Sequence, residues 1–392
     1  MKLARVILKA GKDKAARNFH PWIFSGAIDS VDDFHVPGDL VKVYASDNSY
    51  LGTGYLNPKS QIAVRMLSFS DEEINSNFFE SRIARAESIR KEFVSSDTHC
   101  YRLIHAEGDF LPGLTVDRYH QYLVVQFHTL GMDKLKETIL SILQRLNGVK
   151  GIYERCDPQS FEWEGMKKES GVLWGAPPPE LLQVKENGLS FFVDLMRGQK
   201  TGFFLDQRDN RKLIGRFSKG RRVLNCFSYS GGFSVYALRN GAEHVTSVDS
   251  SQEANELCVK NIELNQINPV CSEVVKADVF DYLRQDQEQY DLIILDPPAF
   301  CKGSQQIDQA ARGYKDINLN AMRKVRSGGL LFTASCSSYI SADLFQKVIF
   351  GAAKDAKREV QIICKTSHAY DHPINIYHPE GEYLKGFFCR IA

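Results

Sequence analysis

The stretch RVLNCFSYSGGFSVYALRNGAEHVTSVD, residues 222–249, decides the fold of the C-terminal half of the chain. It predicts a buried strand over 222–227, a turn of small residues at 230–232, a helix, and a second strand that ends on Asp249. This strand–helix–strand order is typical of a βαβ unit in a parallel sheet. Strand and helix patterns keep alternating after about residue 191, so the sequence predicts an α/β domain there.

The loop Ser228-Tyr229-Ser230-Gly231-Gly232-Phe233 indicates an adenosine-containing cofactor. Its small residues let backbone amides approach a ligand, and Asp249 can accept hydrogen bonds from ribose hydroxyls. The loop lacks the G-x-G-x-x-G pattern that binds a pyrophosphate, so we predict S-adenosylmethionine rather than a dinucleotide. A Gly-Gly turn alone is more often ordinary turn chemistry, and the prediction therefore depends on Asp249. Ser250 with Glu253 predicts a capping box for the following helix.

Two further acids follow predicted strands. Asp278 comes just after strand 273–275, where its carboxylate could meet the exocyclic amine of adenine; a helix N-cap explains it equally well. Asp296 opens the motif Asp296-Pro297-Pro298 after strand 290–295, and the two prolines rigidify the exit from that strand. Such a loop can hold the edge of a nucleobase that has left its stack.

Cys336 is the candidate nucleophile, because the apolar strand 328–335 delivers its thiol to a strand end. Ligands bind at the carboxyl ends of strands in open α/β sheets, so Cys336 and Asp296 would face one substrate. The alternative is that Cys336 is a small buried hydrophobic residue, the usual role of a free cysteine. The cysteines form no C-x-x-C pair and no metal-ligand spacing with histidine, which predicts reduced thiols and no metal. The others are Cys100, Cys156, Cys226, Cys258, Cys271, Cys301, Cys364 and Cys389.

The pattern before residue 190 is different. From residue 1 to about 69, short alternating segments such as 38–44 and 61–67 predict a small β-barrel. The next part, to about residue 144, combines two helical stretches with a predicted hairpin of 114–119 and 122–127. The run Pro177-Pro178-Pro179 can continue neither a helix nor a central strand, and it marks a connecting segment.

Composition and charge are those of an ordinary globular protein. Of 392 residues, 43% are hydrophobic and 25% are charged. No apolar segment reaches the length of a membrane span, so we expect a cytoplasmic protein without a membrane segment. The net charge of +1 does not decide whether the partner is a polyanion.

Basic side chains nevertheless cluster in two places. Each cluster has two possible interpretations, a solvated surface or a nucleic-acid contact. The N-terminal cluster consists of Lys2, Arg5, Lys9, Lys12, Lys14 and Arg17, with Asp13 as its one acid. The second cluster lies on a predicted helix and consists of Arg82, Arg85, Arg90 and Lys91. The acids Glu80, Glu87 and Glu92 on the same stretch partly cancel its positive charge.

Several motifs in combination resemble the family of ribosomal RNA large-subunit cytosine-C5 methyltransferases. They are TGFFLDQRDNR at 201–211, NCFSYSGG at 225–232, Asp296-Pro297-Pro298, RGYKDIN at 312–318 and Ser335-Cys336-Ser337. HPWIFSG at 20–26 resembles the start of that family's PUA domain, and YLKGF at 383–387 its last strand. The resemblance covers essentially the whole chain. It implies a PUA-like RNA-binding β-barrel over 1–70, a central α+β domain of EEHEE type over 71–180, and a Rossmann-like methyltransferase domain over 181–392.

The chemistry that the resemblance implies agrees with the residues. C5 of cytosine is too weak a nucleophile to attack a methyl sulfonium, and addition of the Cys336 thiolate at C6 makes C5 enamine-like. In the resembling enzymes the acid of the Asp-Pro-Pro motif contacts the N3/N4 edge, which gives Asp296 that role here. The sequence does not name the base that removes the C5 proton. We interpret Cys301 as a loop cysteine rather than a second catalytic thiol.

The predicted partner is 23S ribosomal RNA or a large-subunit assembly intermediate, and the oligomeric state is left open, a homodimer included. Two alternatives stand beside this prediction: methylation of guanine N7 or an exocyclic amine, and a non-catalytic RNA-binding assembly factor. The predicted cofactor-binding residues are Gln207, Arg211, Phe227, Ser228, Gly231, Gly232, Asp249, Ser250, Asp278, Val279 and Asp296.

Overall fold

The computed structural model describes residues 3–156, 162–301 and 303–392. The chain divides into two compact units, each built from more than one segment of the sequence. The first comprises Met1–Leu182, Asp194–Gly202 and Tyr370–Gly381, and the second comprises Gln183–Val193, Phe203–Ala369 and Glu382–Ala392. Within the described ranges, no helix is long and apolar enough to span a bilayer.

The first unit begins with a mixed β-sheet. Its elements are β1 (Ala4–Leu8), α1 (Lys14–Arg17), β2 (Trp22–Phe24), β3 (Ile28–Val31), β4 (Leu40–Tyr44), β5 (Tyr50–Leu56) and β6 (Ile62–Ser68). The strand order is β2-β6-β5-β4-β1-β3, with β1 and β4 parallel. Buried and partly exposed residues alternate along β1 and β4, so one face of each strand is packed on a core that contains Val6, Val41 and Val43.

The rest of the first unit is a helix-covered sheet. Its elements are α2 (Ser76–Phe93), β7 (Cys100–His105), β8 (Leu114–Tyr119), β9 (Tyr122–Phe127), α3 (Leu130–Lys134), α4 (Lys136–Leu143), β10 (Gly151–Glu154) and β11 (Gly171–Gly175). The strand order is β11-β10-β9-β8-β7. The predicted hairpin of β8 and β9 is confirmed: Tyr119 pairs with Tyr122 around the turn, where His120 has a φ of 55°.

The second unit opens with a hairpin of β12 (Leu182–Glu186) and β13 (Leu189–Val193). Its main strands are β14 (Arg222–Cys226), β15 (His244–Asp249), β16 (Ser272–Lys276), β17 (Tyr290–Leu295), β18 (Val325–Ser335), β19 (Val360–Thr366) and β20 (Lys385–Ile391). Its helices are α5 (Arg208–Arg216), α6 (Gly232–Arg239), α7 (Gln252–Leu264), α8 (Val279–Gln285), α9 (Ile307–Lys324) and α10 (Ala342–Ala356). The predicted alternation of strands and helices is confirmed.

The strand order of this sheet, β16-β15-β14-β17-β18-β20-β19, positions the candidate site. From β16 to β18 neighbouring strands are parallel, whereas β20 runs antiparallel to β18 and β19. The chain leaves β14 toward β15 on one side and later returns to β17 on the other. Ligands bind at such a switch point, outside the carboxyl ends of the strands. The ends of β14, β15, β17 and β18 therefore converge at one edge.

One local prediction was wrong by one residue. Ser251, and not Ser250, caps α7: its hydroxyl accepts the N–H of Ala254 at 3.2 Å and donates to Glu253. Ser250 is an exposed spacer between the strand end at Asp249 and the cap. Adjacent serines both satisfy the sequence pattern of a capping residue, and the position where β15 ends decides between them.

Candidate active site

The loop that follows β14 is held in a strained conformation. Phe227 has a φ of 58° and Tyr229 a φ of 45°, values that bulky residues rarely adopt. Gly231 has a φ of 77°, and a Cβ atom there would lie 2.4 Å from Sγ of Cys258. Only glycine satisfies both conditions. Backbone strain of this kind is retained mostly where a ligand or a reaction needs it, so the loop is a credible ligand-binding turn.

Asp249 holds this loop in place. One carboxylate oxygen accepts the N–H of Tyr229 at 2.9 Å, and the other accepts the N–H of Ser251 at 3.0 Å. The side chain is half-buried. A carboxylate has about four lone-pair sites, so the ribose hydroxyls that we predict for Asp249 could still be accommodated. The structure adds a positioning role to that prediction.

Two buried hydroxyl groups in the loop lack a partner. Ser228 is 6% exposed and Ser230 is 1% exposed, and neither hydroxyl oxygen has a hydrogen-bond partner within the ranges that the structure describes. A buried polar group without a partner is costly, and the usual explanation is a water or a ligand. These two hydroxyls therefore fit a polar cofactor at this strand end.

Asp278 and Val279 lie at the start of α8. The Asp278 carboxylate accepts the N–H of Asp281 at 3.1 Å and thus caps the helix, as one of the two interpretations of the sequence required. Its predicted contact with adenine stays a prediction. The side chain of Val279 is 3% exposed and belongs to the hydrophobic core, so a cofactor could reach only its backbone atoms.

Arg211 is buried behind the cofactor loop. Its guanidinium forms a two-point ion pair with Glu186, at 2.8 and 2.6 Å, and also donates to the carbonyl of Phe204. Its Cζ atom lies 4.4 Å from the centroid of the Phe203 ring. A Cβ atom on Gly232 would lie 3.0 Å from Cδ of Arg211, so the arginine packs against the first residue of α6. Glu186, which the sequence did not indicate, neutralises the charge of Arg211.

Gln207 contacts the acid of the Asp-Pro-Pro motif. Its side-chain amide donates to Asp296 at 2.7 Å, while its carbonyl oxygen accepts from Asn210 at 2.6 Å. The bond from Asn210 fixes which way the Gln207 amide points. Gln207 thus orients the carboxylate of Asp296, and the cofactor contact that we predicted for Gln207 stays a prediction.

The structure brings Cys336 and the Asp-Pro-Pro loop together. β17 and β18 are parallel neighbours, with Leu295 opposite Thr333, so the chain leaves both strands at the same edge. The Sγ atom of Cys336 lies 3.8 Å from the carbonyl oxygen of Pro297. Cys336 is half-buried, whereas residues 329–335 of β18, which precede it, are buried. This arrangement places a thiol and the Asp-Pro-Pro loop at one edge of the sheet.

Tyr314 braces the residues on either side of the cysteine. Its hydroxyl is hydrogen-bonded to the hydroxyls of Ser335 at 3.0 Å and Ser337 at 2.9 Å. Burial raises the pKa of Tyr314, so the phenol keeps its proton at neutral pH. The motif at 312–318 contains this tyrosine, but the sequence assigned no role to it because the link to Ser335 and Ser337 is a tertiary contact.

Lys385, at the start of β20, completes the surroundings of the cysteine. It is 5% exposed, and its ammonium donates to the carbonyl oxygens of Ser337 at 2.7 Å and Tyr383 at 2.8 Å. Burial lowers the pKa of Lys385 to about 8, and the neighbouring Cys336 and Glu382 partly oppose that shift. The motif at 383–387 contains this lysine, but no local pattern in the sequence links it to Cys336.

Cys301 follows the same loop, and its thiol is buried and bonded locally. Its backbone N–H donates to the hydroxyl of Ser337 at 3.3 Å, and its Sγ lies 3.1 Å from the carbonyl of Gly303. The residue is 3% exposed. Burial and local bonding fit the interpretation of Cys301 as a loop cysteine rather than a second catalytic thiol. In the described part of the chain, no group of three or more His, Cys, Asp or Glu side chains is placed to hold a metal ion.

Two family models match the chain. Residues 6–69 match a PUA-like domain, and residues 164–357 match an S-adenosylmethionine-dependent methyltransferase. The second match covers the loop after β14, the Asp-Pro-Pro motif and Cys336.

Relatives of known name match over nearly the full length. A ribosomal RNA large subunit methyltransferase I from Aliivibrio fischeri is 43% identical over 392 residues, covering 99% of each chain. The protein of the same name from Yersinia pseudotuberculosis is also 43% identical with the same coverage. This chain belongs to the ribosomal RNA large subunit methyltransferase I family. It is an S-adenosylmethionine-dependent methyltransferase.

Solved structures agree with this family membership. An S-adenosylmethionine-dependent methyltransferase from Streptococcus mutans superimposes with a TM-score of 0.84 at 26% identity, covering 98% of this chain and 99% of that one. A second methyltransferase structure, complexed with S-adenosylhomocysteine, gives a TM-score of 0.84 at 25% identity with the same coverage. The PUA-like and Rossmann-like parts of the predicted fold are thereby confirmed.

Proposed function

We propose that this protein methylates C5 of a cytosine in 23S ribosomal RNA through a covalent adduct with Cys336. The observation that carries the proposal is the position of the Cys336 thiol, 3.8 Å from the Pro297 carbonyl of the Asp-Pro-Pro loop. A thiol at a strand end beside an oriented carboxylate suits a pyrimidine, which needs activation before C5 can attack an electrophile. The relatives are ribosomal RNA large subunit methyltransferases, which supports ribosomal RNA as the substrate.

The residues have distinct tasks in this mechanism. The Cys336 thiolate adds to C6 of the cytosine, a carbon–sulfur bond forms, and the electron pair of the C5–C6 double bond makes C5 nucleophilic. Asp296, oriented by Gln207, contacts the N3/N4 edge and stabilises the adduct. C5 would take up the methyl group of the bound cofactor, which would leave as S-adenosylhomocysteine. The C5 proton then leaves to a base, its electron pair re-forms the C5–C6 double bond, and the carbon–sulfur bond breaks with its electrons on the Cys336 sulfur. Tyr314 fixes the cysteine loop throughout.

Cofactor binding is assigned to the edge formed by β14 and β15. Asp249 would take the ribose hydroxyls, and the unpartnered hydroxyl of Ser228 would meet another polar group of the ligand. Bound S-adenosylmethionine supplies the electrophilic methyl group. Gly231 lets the loop backbone approach it, and Asp278 at the head of α8 would take the adenine amine.

The remaining parts of the chain fit RNA binding. We propose the domain boundaries 1–70, 71–180 and 181–392, with the PUA-like part contacting RNA phosphates. Within the N-terminal basic cluster, Arg17 is paired with Asp13, whereas the side chains of Lys12 and Lys14 are exposed. Lys2 lies outside the described residues. Exposed lysines contribute position and affinity rather than sequence preference.

The two alternative functions leave Cys336 without a role. Methylation of guanine N7 or of an exocyclic amine needs no thiol, and a non-catalytic assembly factor needs neither a thiol nor a cofactor. The test is transfer of labelled methyl groups from S-adenosylmethionine to large-subunit ribosomal RNA, followed by mass spectrometry of the nucleosides. We expect 5-methylcytidine with wild-type protein and none with Cys336→Ala. A methylated guanosine would contradict the proposed position, and absence of any transfer would contradict catalysis. Bisulfite sequencing of RNA from cells with and without the protein then locates the base.

A further inference from the structure

The first unit contains an open cavity of about 610 Å³, a size typical of ligand sites. Aromatic and arginine side chains form much of its wall: Phe19, Phe69, Arg82, Arg85, Phe110 and Tyr377. We call it the aromatic–arginine cavity. The motifs that indicated a methyltransferase include none of these residues.

The aromatic part of the wall is exposed. Phe19 is 46% exposed and Tyr377 is 44% exposed. The Phe19 ring packs at 5.2 Å from Tyr377 and edge-on at 5.4 Å from Phe69, as measured between ring centroids. Phe19 also has a φ of 62°, which is unusual for a bulky residue. The chain thus tolerates strain to present an aromatic ring to solvent.

The cationic part of the wall has unused hydrogen-bond donors. The guanidinium of Arg82 lies 4.8 Å from the ring of Phe78 and 5.5 Å from Phe110, and that of Arg85 lies 5.4 Å from Phe110. Neither guanidinium forms an ion pair or hydrogen bond with any described residue. Burial and the neighbouring charge of Arg85 lower the pKa of Arg82, with Glu72 opposing.

Glu72 is the acid in the wall of this cavity, and its carboxylate is already engaged. It accepts hydrogen bonds from the hydroxyls of Ser68 and Ser70. Two arginines against one acid leave the wall with a net positive charge. The five N–H groups of each guanidinium match the oxygens of a phosphate.

We propose that the aromatic–arginine cavity binds one unpaired nucleotide of the RNA substrate. Its base stacks on Phe19 and Tyr377, and its phosphate accepts hydrogen bonds from Arg82 and Arg85. This inference rests on the proposed function, because it takes RNA as the substrate. Aromatic faces accept any base that has left a duplex, while arginines supply the attraction to the backbone. The site would therefore select unpaired RNA with little preference for sequence.

The test measures binding of a fluorescein-labelled single-stranded RNA of mixed sequence, and of the matching duplex, over a series of salt concentrations. Arg82→Gln with Arg85→Gln should weaken single-strand binding at least about tenfold and reduce the log–log salt slope by about 0.7 for each lost phosphate contact. Phe19→Ala should weaken binding about fivefold or more without changing that slope. Lys91→Gln is the control for loss of charge on α2: it removes one positive charge, at an exposed residue that pairs with Glu87.

Three outcomes would overturn the proposal. They are wild-type affinity in the double arginine variant, an effect no larger than that of Lys91→Gln, and equal losses on single strand and duplex. Failure of the wild-type protein to bind or methylate RNA would instead contradict the proposed function. The two failures are therefore distinguishable.

A second inference concerns Lys385 and also rests on the proposed function. We infer that the Lys385 ammonium is a positioning group that holds the cysteine loop and favours the thiolate form of Cys336. Lys385 lies in β20 opposite Ser335, the residue that precedes Cys336. Its ammonium also donates to the carbonyl of Ser337, the residue that follows Cys336. A buried cation near a thiol favours the deprotonated sulfur.

The charged and titratable groups around Lys385 come from several elements. Cys336 follows β18, and Tyr314 on α9 is bonded to Ser337. Glu382 precedes β20, and the His368 ring accepts the N–H groups of Tyr383 and Leu384. Cys336 and Glu382 raise the pKa of Lys385 against the effect of burial, and the interaction with Cys336 is reciprocal. Since the pKa is about 8, the ammonium is present below that pH and is lost above it.

The test is the rate at which iodoacetamide alkylates Cys336, followed by peptide mass spectrometry from about pH 6 to pH 9. Lys385→Met should lower the rate about tenfold near neutral pH and move the midpoint upward, with the difference vanishing above about pH 9. Lys385→Arg keeps a positive charge from pH 6 to pH 9, so it should restore the wild-type rate near neutral pH. An unchanged profile in Lys385→Met, with binding of S-adenosylhomocysteine intact, would overturn the inference.

A second measurement covers the case in which Lys385→Met does not fold. Carbon-13 NMR of lysine-labelled protein follows the titration of Lys385 in the wild type and in Cys336→Ala. The midpoint should fall when the thiolate is removed, and equal midpoints would overturn the inference. Neither assay needs RNA or methyl transfer, so both are independent of the test of the proposed function.

Discussion

Replacing Asp249 should affect both the stability of the second unit and its affinity for the cofactor. The carboxylate accepts the N–H groups of Tyr229 and Ser251, one on each oxygen. Asp249→Asn keeps one acceptor oxygen and points an NH2 group at the other N–H donor, so one charge-assisted bond is lost, at a cost of about 1.5–3 kcal/mol. Asp249→Ala loses both, at roughly twice that cost. Because the side chain is half-buried, we expect the lower part of each range.

Equilibrium unfolding in urea, with and without S-adenosylhomocysteine, separates the two effects. The ligand-free midpoint reports the loss of the loop contacts. The additional stabilisation by ligand reports binding, and calorimetric titration below the unfolding transition measures it directly. If Asp249 also holds the ribose, both variants should bind the ligand about tenfold or more weakly than the wild type. Glu253→Gln is the control, because it removes a nearby acid that bonds to Ser251 but not to the loop.

Each half of this reasoning can fail by itself. Wild-type unfolding of Asp249→Asn would show that the carboxylate does not hold the strained turn at Tyr229. Unchanged ligand affinity in Asp249→Ala would remove Asp249 from the cofactor site. An equal effect of Glu253→Gln would mean that general electrostatics, and not the two hydrogen bonds, causes the change.

Three further predictions concern the nucleophile, the ion pair behind the cofactor loop and the RNA contact. RNA with 5-fluorocytosine at the target position should trap wild-type protein and Cys301→Ala as covalent methylated adducts, but not Cys336→Ala; mass spectrometry that finds the adduct on Cys301 would refute the mechanism. Glu186→Gln leaves the Arg211 charge buried and should lower the free energy of unfolding by about 3–5 kcal/mol, and a loss below about 1 kcal/mol in urea would contradict this. Lys12→Gln with Lys14→Gln should flatten the salt slope of RNA binding by about 0.7–0.9 per lost contact, and an unaltered slope in filter binding would assign the phosphates to other residues.

The sequence predicted the parts of the site that follow parallel strands. A βαβ pattern places the carboxyl ends of its strands at one edge, so Asp249, Asp296 and Cys336 could be assigned to that edge from spacing alone. Lys385 could not, because β20 is antiparallel and lies between β18 and β19, an order that local patterns do not encode. The bond between Gln207 and Asp296 is likewise a tertiary contact between distant segments.

The aromatic–arginine cavity shows a different limit of sequence reasoning. Summed along α2, the acids cancel much of the basic charge. In the structure Glu80 pairs with Arg145 and Glu87 pairs with Lys91. The acids are thus used elsewhere, while Arg82 and Arg85 keep free donors in the cavity. A charge count over a helix cannot reveal which charges are already neutralised by neighbours in space.

The insertion of β20 between β18 and β19 constrains how the polypeptide can mature during translation. β18 and β19 both emerge from the ribosome before β20. In the final sheet they do not pair with each other, because β20 lies between them. A nascent chain halted between residues 366 and 385 therefore carries unmatched strand edges, which invite aggregation or chaperone binding. The thiol at residue 336 also lacks its lysine neighbour until that moment. Incomplete chains should accordingly be sensitive to proteases.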